Sequence, residues 1–278
     1  MKARFDELSA ACSKATTQLY STSFSLGIRL LSRPMRAPIY AIYGFVRLAD
    51  EIVDSFHDHD KAYLLAKFKS DCYEAIAMGI SLNPVLNAFQ QVVNTYGIDH
   101  ELIDLFMKSM EMDLEQLTYT PESYEDYILG SAQVVGLMCL QVFTEGDKTA
   151  YEQLKRSAMM LGSAFQKVNF LRDANADYRD LDRTYFPGVD LDAFSDRDKR
   201  AIEEEIDREF SDALAGIRRL PRNCRKGVYL AYIYYQKLFQ KIKRISARHV
   251  LSERIRISNG HKCWLMVDSM VRYKLNVL

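Results

Sequence analysis

Proline and glycine are so sparse in this chain, six and twelve in 278 residues, that little besides long helices fits it. Pro34, Pro84, Pro121 and Pro221 each stand at or near a place where a helix would begin, where proline's missing N–H is no loss. Pro38 falls within the first turn after Pro34, and Pro187 closes a tyrosine-containing loop. Between these points apolar residues recur at helical period. The pattern predicts helices over about 6–19, 35–56, 60–79, 84–96, 100–117, 123–143, 148–178, 196–218, 222–248 and 260–275. No strand-like alternation of useful length, fixed-period repeat or low-complexity linker interrupts them. The expected fold is one all-α domain, residues 1–278, around a helical core.

Composition narrows the class. Hydrophobic residues make up 48% and charged residues 27%, the balance of a soluble globular protein. Basic and acidic residues number 37 each, so net charge argues for no partner. Their distribution is uneven, because residues 218–278 hold fifteen Lys/Arg against Glu253 and Asp268. No nucleic-acid-binding motif accompanies this basic part, and no nucleic acid is expected. The five cysteines are odd in number and form no CxxC pair, which predicts a reducing, cytoplasmic setting. Charges at Lys2, Arg4, Asp6 and Glu7 are followed by no apolar leader. The longest charge-free run, Tyr127 to Thr144, contains two glycines, two glutamines and a serine, and reads as a buried central helix.

Two helices carry an ordered polar stripe beside an apolar one. Tyr43, Arg47, Asp50 and Asp54 are spaced by four, three and four residues, on one helical face beside Ile42, Val46, Ala49 and Val53. Gln166, Asn169, Asp173 and Asp177 follow at three, four and four, flanked by Arg172 and set among Leu161, Phe165, Val168 and Leu171. On a third helix Asp113 shares a face with Phe106, Met110 and Leu117, where a buried structural partner is the favoured explanation. A lone pair of acids one turn apart usually faces solvent, and like charges at that spacing destabilise a helix. Two such pairs, each with an arginine and each in an apolar helix, point to Mg²⁺ held with a phosphorylated ligand. The arginines suit phosphate oxygens. Seventeen tyrosines and fourteen phenylalanines, with small residues at Gly130, Ser131, Ala132 and Gly136, predict an aromatic tunnel for a long hydrocarbon beside the stripes.

These residues resemble the phytoene synthase and squalene synthase family of head-to-head prenyl transferases, over about Tyr20 to Arg256. Tyr20-Ser-Thr-Ser-Phe24 and Arg47-Leu-Ala-Asp-Glu-Ile-Val-Asp54 are similar to its Ser-x-Ser-Phe signature and first aspartate-rich motif. Gln166 to Asp177, then Arg183-Thr-Tyr-Phe-Pro187, resembles its second motif and the Arg-x-Tyr-x-Pro that trails it. Met110-Glu-Met-Asp113 and Leu251-Ser-Glu-Arg-Ile-Arg256 match two further segments. The chain departs from the pattern at Glu51, where the family often has Asp, and at Tyr20 and Thr22, often His and Lys or Arg.

The resemblance implies an all-α isoprenoid synthase bundle with a central cavity and Mg²⁺, or Mn²⁺ in its place. Asp50, Asp54, Asp173 and Asp177 are the implied metal ligands. Arg47, Tyr43, Tyr127, Gln166, Arg172 and Tyr234 are implied at the reaction centre. Ser23, Phe24, Asn169, Arg183 and Arg254 are implied on the substrate. The implied reaction joins two geranylgeranyl diphosphates to phytoene in carotenoid biosynthesis, most like the bacterial branch. A dehydrosqualene or squalene type acting on farnesyl diphosphate is the alternative. No nicotinamide cofactor is expected, since reducing members are commonly longer and carry a C-terminal membrane anchor. A catalytically silent assembly factor is disfavoured because all four aspartates and both motif arginines are present. Amphiphilic substrates and a hydrocarbon product imply peripheral membrane contact, for which the basic residues 237–248 are the candidates. The sequence argues for no particular oligomeric state.

Overall fold

The structure is a computed structural model. It describes residues 2–115, 118–181, 185–188, 194–252, 255–257, 260 and 265–266, with the side chains of 176–181 outside that set. Twelve α-helices follow in order among the described residues: α1 (Lys2–Tyr20), α2 (Thr22–Arg29), α3 (Arg33–Ser55), α4 (Lys61–Met78), α5 (Pro84–Tyr96), α6 (His100–Glu115), α7 (Pro121–Ile128), α8 (Val134–Thr144), α9 (Lys148–Leu181), α10 (Asp196–Arg219), α11 (Arg222–Lys243) and α12 (Ala247–Val250). No β-strand occurs among the described residues, so the all-α expectation holds.

The prolines act as read. Pro34 and Pro38 sit in the first turns of α3, Pro84 and Pro121 open α5 and α7, and Pro221 immediately precedes α11. Side chains complete several starts. Asn83 Oδ1 accepts from Val85 and Leu86 N–H, and Thr120 and Ser123 cap each other reciprocally. Gly79 and Gly97, at φ +68 and +64, end α4 and α5 in the left-handed conformation that a side chain disfavours.

Two boundaries differ from expectation. Residues 22–29 form a separate short helix, started by Ser21, whose Oγ accepts from Phe24 N–H. The helix expected over 222–248 stops at Lys243, and Ser246 starts α12. The helix expected over 260–275 lies largely outside the described residues.

α3 is central to one half of the bundle, packed on α1, α4, α5, α6 and α8. There Phe45, fully buried, stacks on Phe89 at 3.9 Å and meets Phe68 and Phe106. α9 is central to the other half, against α8, α10 and α11. The charge-free stretch joins the halves. α7 and α8 run on through a π-helical turn, Leu129–Gln133. By length and composition Pro121–Thr144 is apolar enough to cross a membrane, yet Ile128, Val134, Leu137, Met138 and Val142 are buried inside the bundle. The turn is clamped by close approach. A Cβ on Gly130 would lie 2.4 Å from Leu105 O of α6, and one on Gly162 of α9 would lie 2.5 Å from Ala132 O. Gly130 therefore serves helix contact, as does Gly136, where a Cβ would lie 2.8 Å from Ala158 O of α9, while Ser131, Ala132 and Gly136 line the cavity beside the turn.

Candidate active site

Between the two halves lies a cavity of about 290 Å³. Its walls are mostly apolar, with small residues from the turn after α7, from α9 and from α11, and with Phe24, Phe143 and Phe165 among its rings. Polar side chains gather on one side. Tyr43 comes from α3, and Gln166 and Asn169 from α9. These three begin the polar stripes, so both stripes run outward from one cavity. Arg47, Asp50 and Asp54 continue along α3, and Arg172 and Asp173 along α9.

The aromatic wall is tight. Phe24 lies 5.9 Å from Tyr43 and 5.8 Å from Tyr235, ring centre to ring centre. Tyr235 stacks on Phe165 at 3.9 Å and donates its hydroxyl to Asn169 Oδ1 at 3.2 Å. Burial pushes the Tyr43 phenol up to about 12 against the opposing charge of Arg47, and burial also raises Tyr235. Both hydroxyls therefore stay protonated donors at neutral pH.

The acids are strained electrostatically. Burial, then the charges of Asp54, Asp113 and Glu51, raise Asp50 to about 7 despite the neighbouring Arg47. Arg47 pairs with both Asp50 and Glu51, which outweighs its burial and keeps it firmly charged. Arg172 donates Nε to Asp173 at 3.0 and 3.1 Å. Among the described residues no three acid, histidine or cysteine side chains are grouped so as to hold a cation unaided. Mg²⁺ typically takes one or two carboxylates and completes its shell with water and substrate phosphate oxygens, so paired acids suit it.

The other expected residues are distributed as follows. Ser23 is partly exposed on α2 and is not among the residues lining the cavity. Tyr127 is buried behind the wall, donating to Asp113 Oδ2 at 2.8 Å. Tyr234 points away from the cavity, into a small cluster with Leu230 and Leu265, and the tyrosine of α11 at the cavity is its neighbour Tyr235. Helical phase explains this. Gly227, Val228 and Ala231 also line the cavity, and Tyr235 lies eight, seven and four residues after them. That stripe of small residues was the available signal. Arg183 and Arg254 lie outside the described residues, as does the side chain of Asp177.

Two buried charges support the site from behind. Asp113, 6% exposed, accepts from the hydroxyls of Tyr127, Tyr119 and Tyr185, the last two at 3.3 and 3.5 Å. Lys167, 1% exposed on the far side of α9 from the cavity, is held by Glu205 and by Glu209 at 2.7 Å, both from α10. It fixes the rotation of the helix that presents Gln166, Asn169 and Asp173.

Comparisons with known proteins give a family and a fold. The squalene/phytoene synthase family matches residues 17–261. A phytoene synthase of Rhodobacter capsulatus is 29% identical over 268 residues, covering 90% of this chain and 77% of the relative. A 4,4'-diapophytoene synthase of Staphylococcus haemolyticus is 28% identical over 193 residues, 68% of this chain and 65% of the relative. In fold, the chain superimposes on a dehydrosqualene synthase crystal structure with TM-score 0.83 at 20% identity, covering 97% and 98% of the two chains. The chain belongs to the squalene/phytoene synthase family of prenyl transferases.

Proposed function

We propose that the protein condenses two geranylgeranyl diphosphates head to head, C1 to C1, through a cyclopropylcarbinyl diphosphate to phytoene. One observation carries the reading: an apolar cavity whose polar side begins two aspartate stripes, each with an arginine. The cavity suits the prenyl chains and the stripes suit the diphosphates. Asp50, Asp54 and Asp173, with Asp177 next on its stripe, would hold Mg²⁺, and the raised Asp50 carboxyl marks a set of anions short of positive charge. Bound Mg²⁺ would neutralise the departing diphosphate and so favour ionisation of the allylic C–O bond. Arg47 and Arg172 add charge-assisted donors to the same oxygens. Phe24, Phe165 and the rings of Tyr43 and Tyr235 face the cationic chain and keep water from it. The first condensation releases one diphosphate and one proton. The second ionisation releases the other diphosphate, and the rearranged cation loses a further proton, so no nicotinamide is consumed.

We place the reaction in a reducing cytoplasmic setting, since the four described cysteines are free. Contact with the inner membrane face is proposed as peripheral. Incubation of the full chain with Mg²⁺ and either geranylgeranyl or farnesyl diphosphate, followed by product identification, tests the reading. Phytoene is the expected product. A C30 hydrocarbon from farnesyl diphosphate alone would assign the shorter substrate, a reading favoured by the likeness to a diapophytoene synthase. No hydrocarbon from either would overturn both.

A further inference from the structure

Arg47 is held on three sides. Asp50 takes Nη1 and Glu51 takes Nη2. The third holder is Tyr20, last residue of α1, whose ring centre lies 4.2 Å from the guanidinium carbon. Tyr20 is 45% exposed, so burial does not dictate its place. Against its burial, the Glu51 carboxyl is held below the usual carboxylate range by Arg47 and also by the neighbouring Ser55 and Tyr20 side chains. Arg47 Nε is buried and has no acceptor, a donor left for an incoming oxygen.

Tyr20 and Glu51 meet on the same guanidinium. Glu51 reaches one methylene further than aspartate, far enough to take the guanidinium from one side. Tyr20 supplies a ring for the same cation from another. Asp50 is the one holder of Arg47 that is also a candidate cation ligand. An arginine secured by Asp50 alone would regain rotamer freedom whenever that carboxylate was engaged elsewhere.

We propose that Tyr20 and Glu51 form a cradle that positions Arg47 to receive the substrate diphosphate. The inference rests on the prenyl diphosphate reading. Both are positioning residues that act through Arg47. A cation–π contact at a half-exposed ring corresponds to about a three- to fivefold change in binding. Loss of the charge-assisted bond to Glu51 corresponds to roughly tenfold.

The test is calorimetric titration of the full chain with inorganic pyrophosphate in MgCl₂, alongside thermal melts. Tyr20→Leu is expected to weaken binding about three- to fivefold with an unchanged melt, and Glu51→Gln about tenfold. Tyr20→Trp, a better cation–π surface, is expected to restore binding to near wild type. In turnover, Tyr20→Leu is expected to raise KM more than it lowers kcat. Wild-type affinity in Tyr20→Leu, or no rescue by Tyr20→Trp, would overturn the cradle alone. A wild-type chain that binds no pyrophosphate and turns over no prenyl diphosphate would overturn the underlying reading and the cradle with it.

Discussion

Tyr127 Oη donates to Asp113 Oδ2 at 2.8 Å, and the same carboxylate raises Asp50, so the aromatic wall behind the cavity is tied to the acidic stripe. Sequence alone favoured a structural partner for Asp113, and among the described residues its partners include three phenols, from α7 and from the segments before α7 and after α9. Asp113→Asn keeps the volume and removes the charge. It is expected to lower stability by roughly 1–3 kcal/mol, the scale of lost charge-assisted hydrogen bonds. Denaturant titration measures this. Unchanged stability with lost turnover would make Asp113 a direct participant in the reaction.

Asp50 gives stability a pH dependence in chelator. The folded chain holds its proton up to about pH 7, whereas the unfolded value is 3.8. Between those values the folded state binds more protons, so stability falls as pH rises through the window. Asp50→Asn has no such proton to lose, and Glu51 still holds Arg47. The variant is therefore expected to melt higher than wild type at pH 8, with the difference shrinking towards pH 5. Parallel melting curves across that range would contradict the assignment.

Asp173→Asn should abolish turnover by about a hundredfold or more while leaving the helical signal and melt intact. Arg172 loses the charge it pairs with, while its own charge still acts on the Tyr235 phenol against burial. Near-normal activity at saturating Mg²⁺ would refute the role proposed for Asp173.

Lys167→Met is expected to destabilise the fold by about 3–5 kcal/mol, because Glu209 would be left buried without its counter-ion. One Glu209 oxygen already lacks a partner, and burial raises this carboxyl even with Lys167 present. Protonation relieves the deficit, so the loss should shrink as pH falls. Adding Glu209→Gln should recover part of the stability. A double variant no better than the single would show that the two side chains are not coupled.

What was legible in the sequence was whatever periodicity encodes. Pro34, Pro84, Pro121 and Pro221 located four helix starts, and the offsets from Tyr43 to Asp54 and from Gln166 to Asp173 placed two stripes beside one cavity. Residues 22–29 were missed because eight residues give little periodicity, and only Ser21 marks the start. Tyr234 and Tyr235 are chemically identical neighbours, and only helical phase relative to Gly227 and Ala231 separates them. Lys167 carried no signal in the sequence because its counter-ions lie 38 and 42 residues downstream. Pairing at that distance leaves no local pattern.

The same phase argument reshapes the membrane expectation. Leu238, Phe239, Ile242 and Ile245 are interleaved with the basic residues, which suggested amphipathic contact. The first three are buried in the core and Ile245 packs partly buried against it, so this apolar face is turned to the bundle rather than to lipid. Lys237, Lys241, Arg244 and Arg248 are exposed, while Lys243 is paired with Asp207. Any bilayer contact made here is electrostatic. Each basic residue near an anionic leaflet contributes about 1 kcal/mol, and salt screens it over about 10 Å at 0.1 M. The chain is expected to sediment with anionic vesicles at low salt, to be released at high salt, and to ignore neutral vesicles. Charge reversal at Lys237 and Arg244 together should weaken sedimentation without affecting turnover of detergent-dispersed substrate. Binding that is indifferent to lipid charge, or absent at low salt, would remove this surface as the attachment site and leave the cavity and its two stripes untouched.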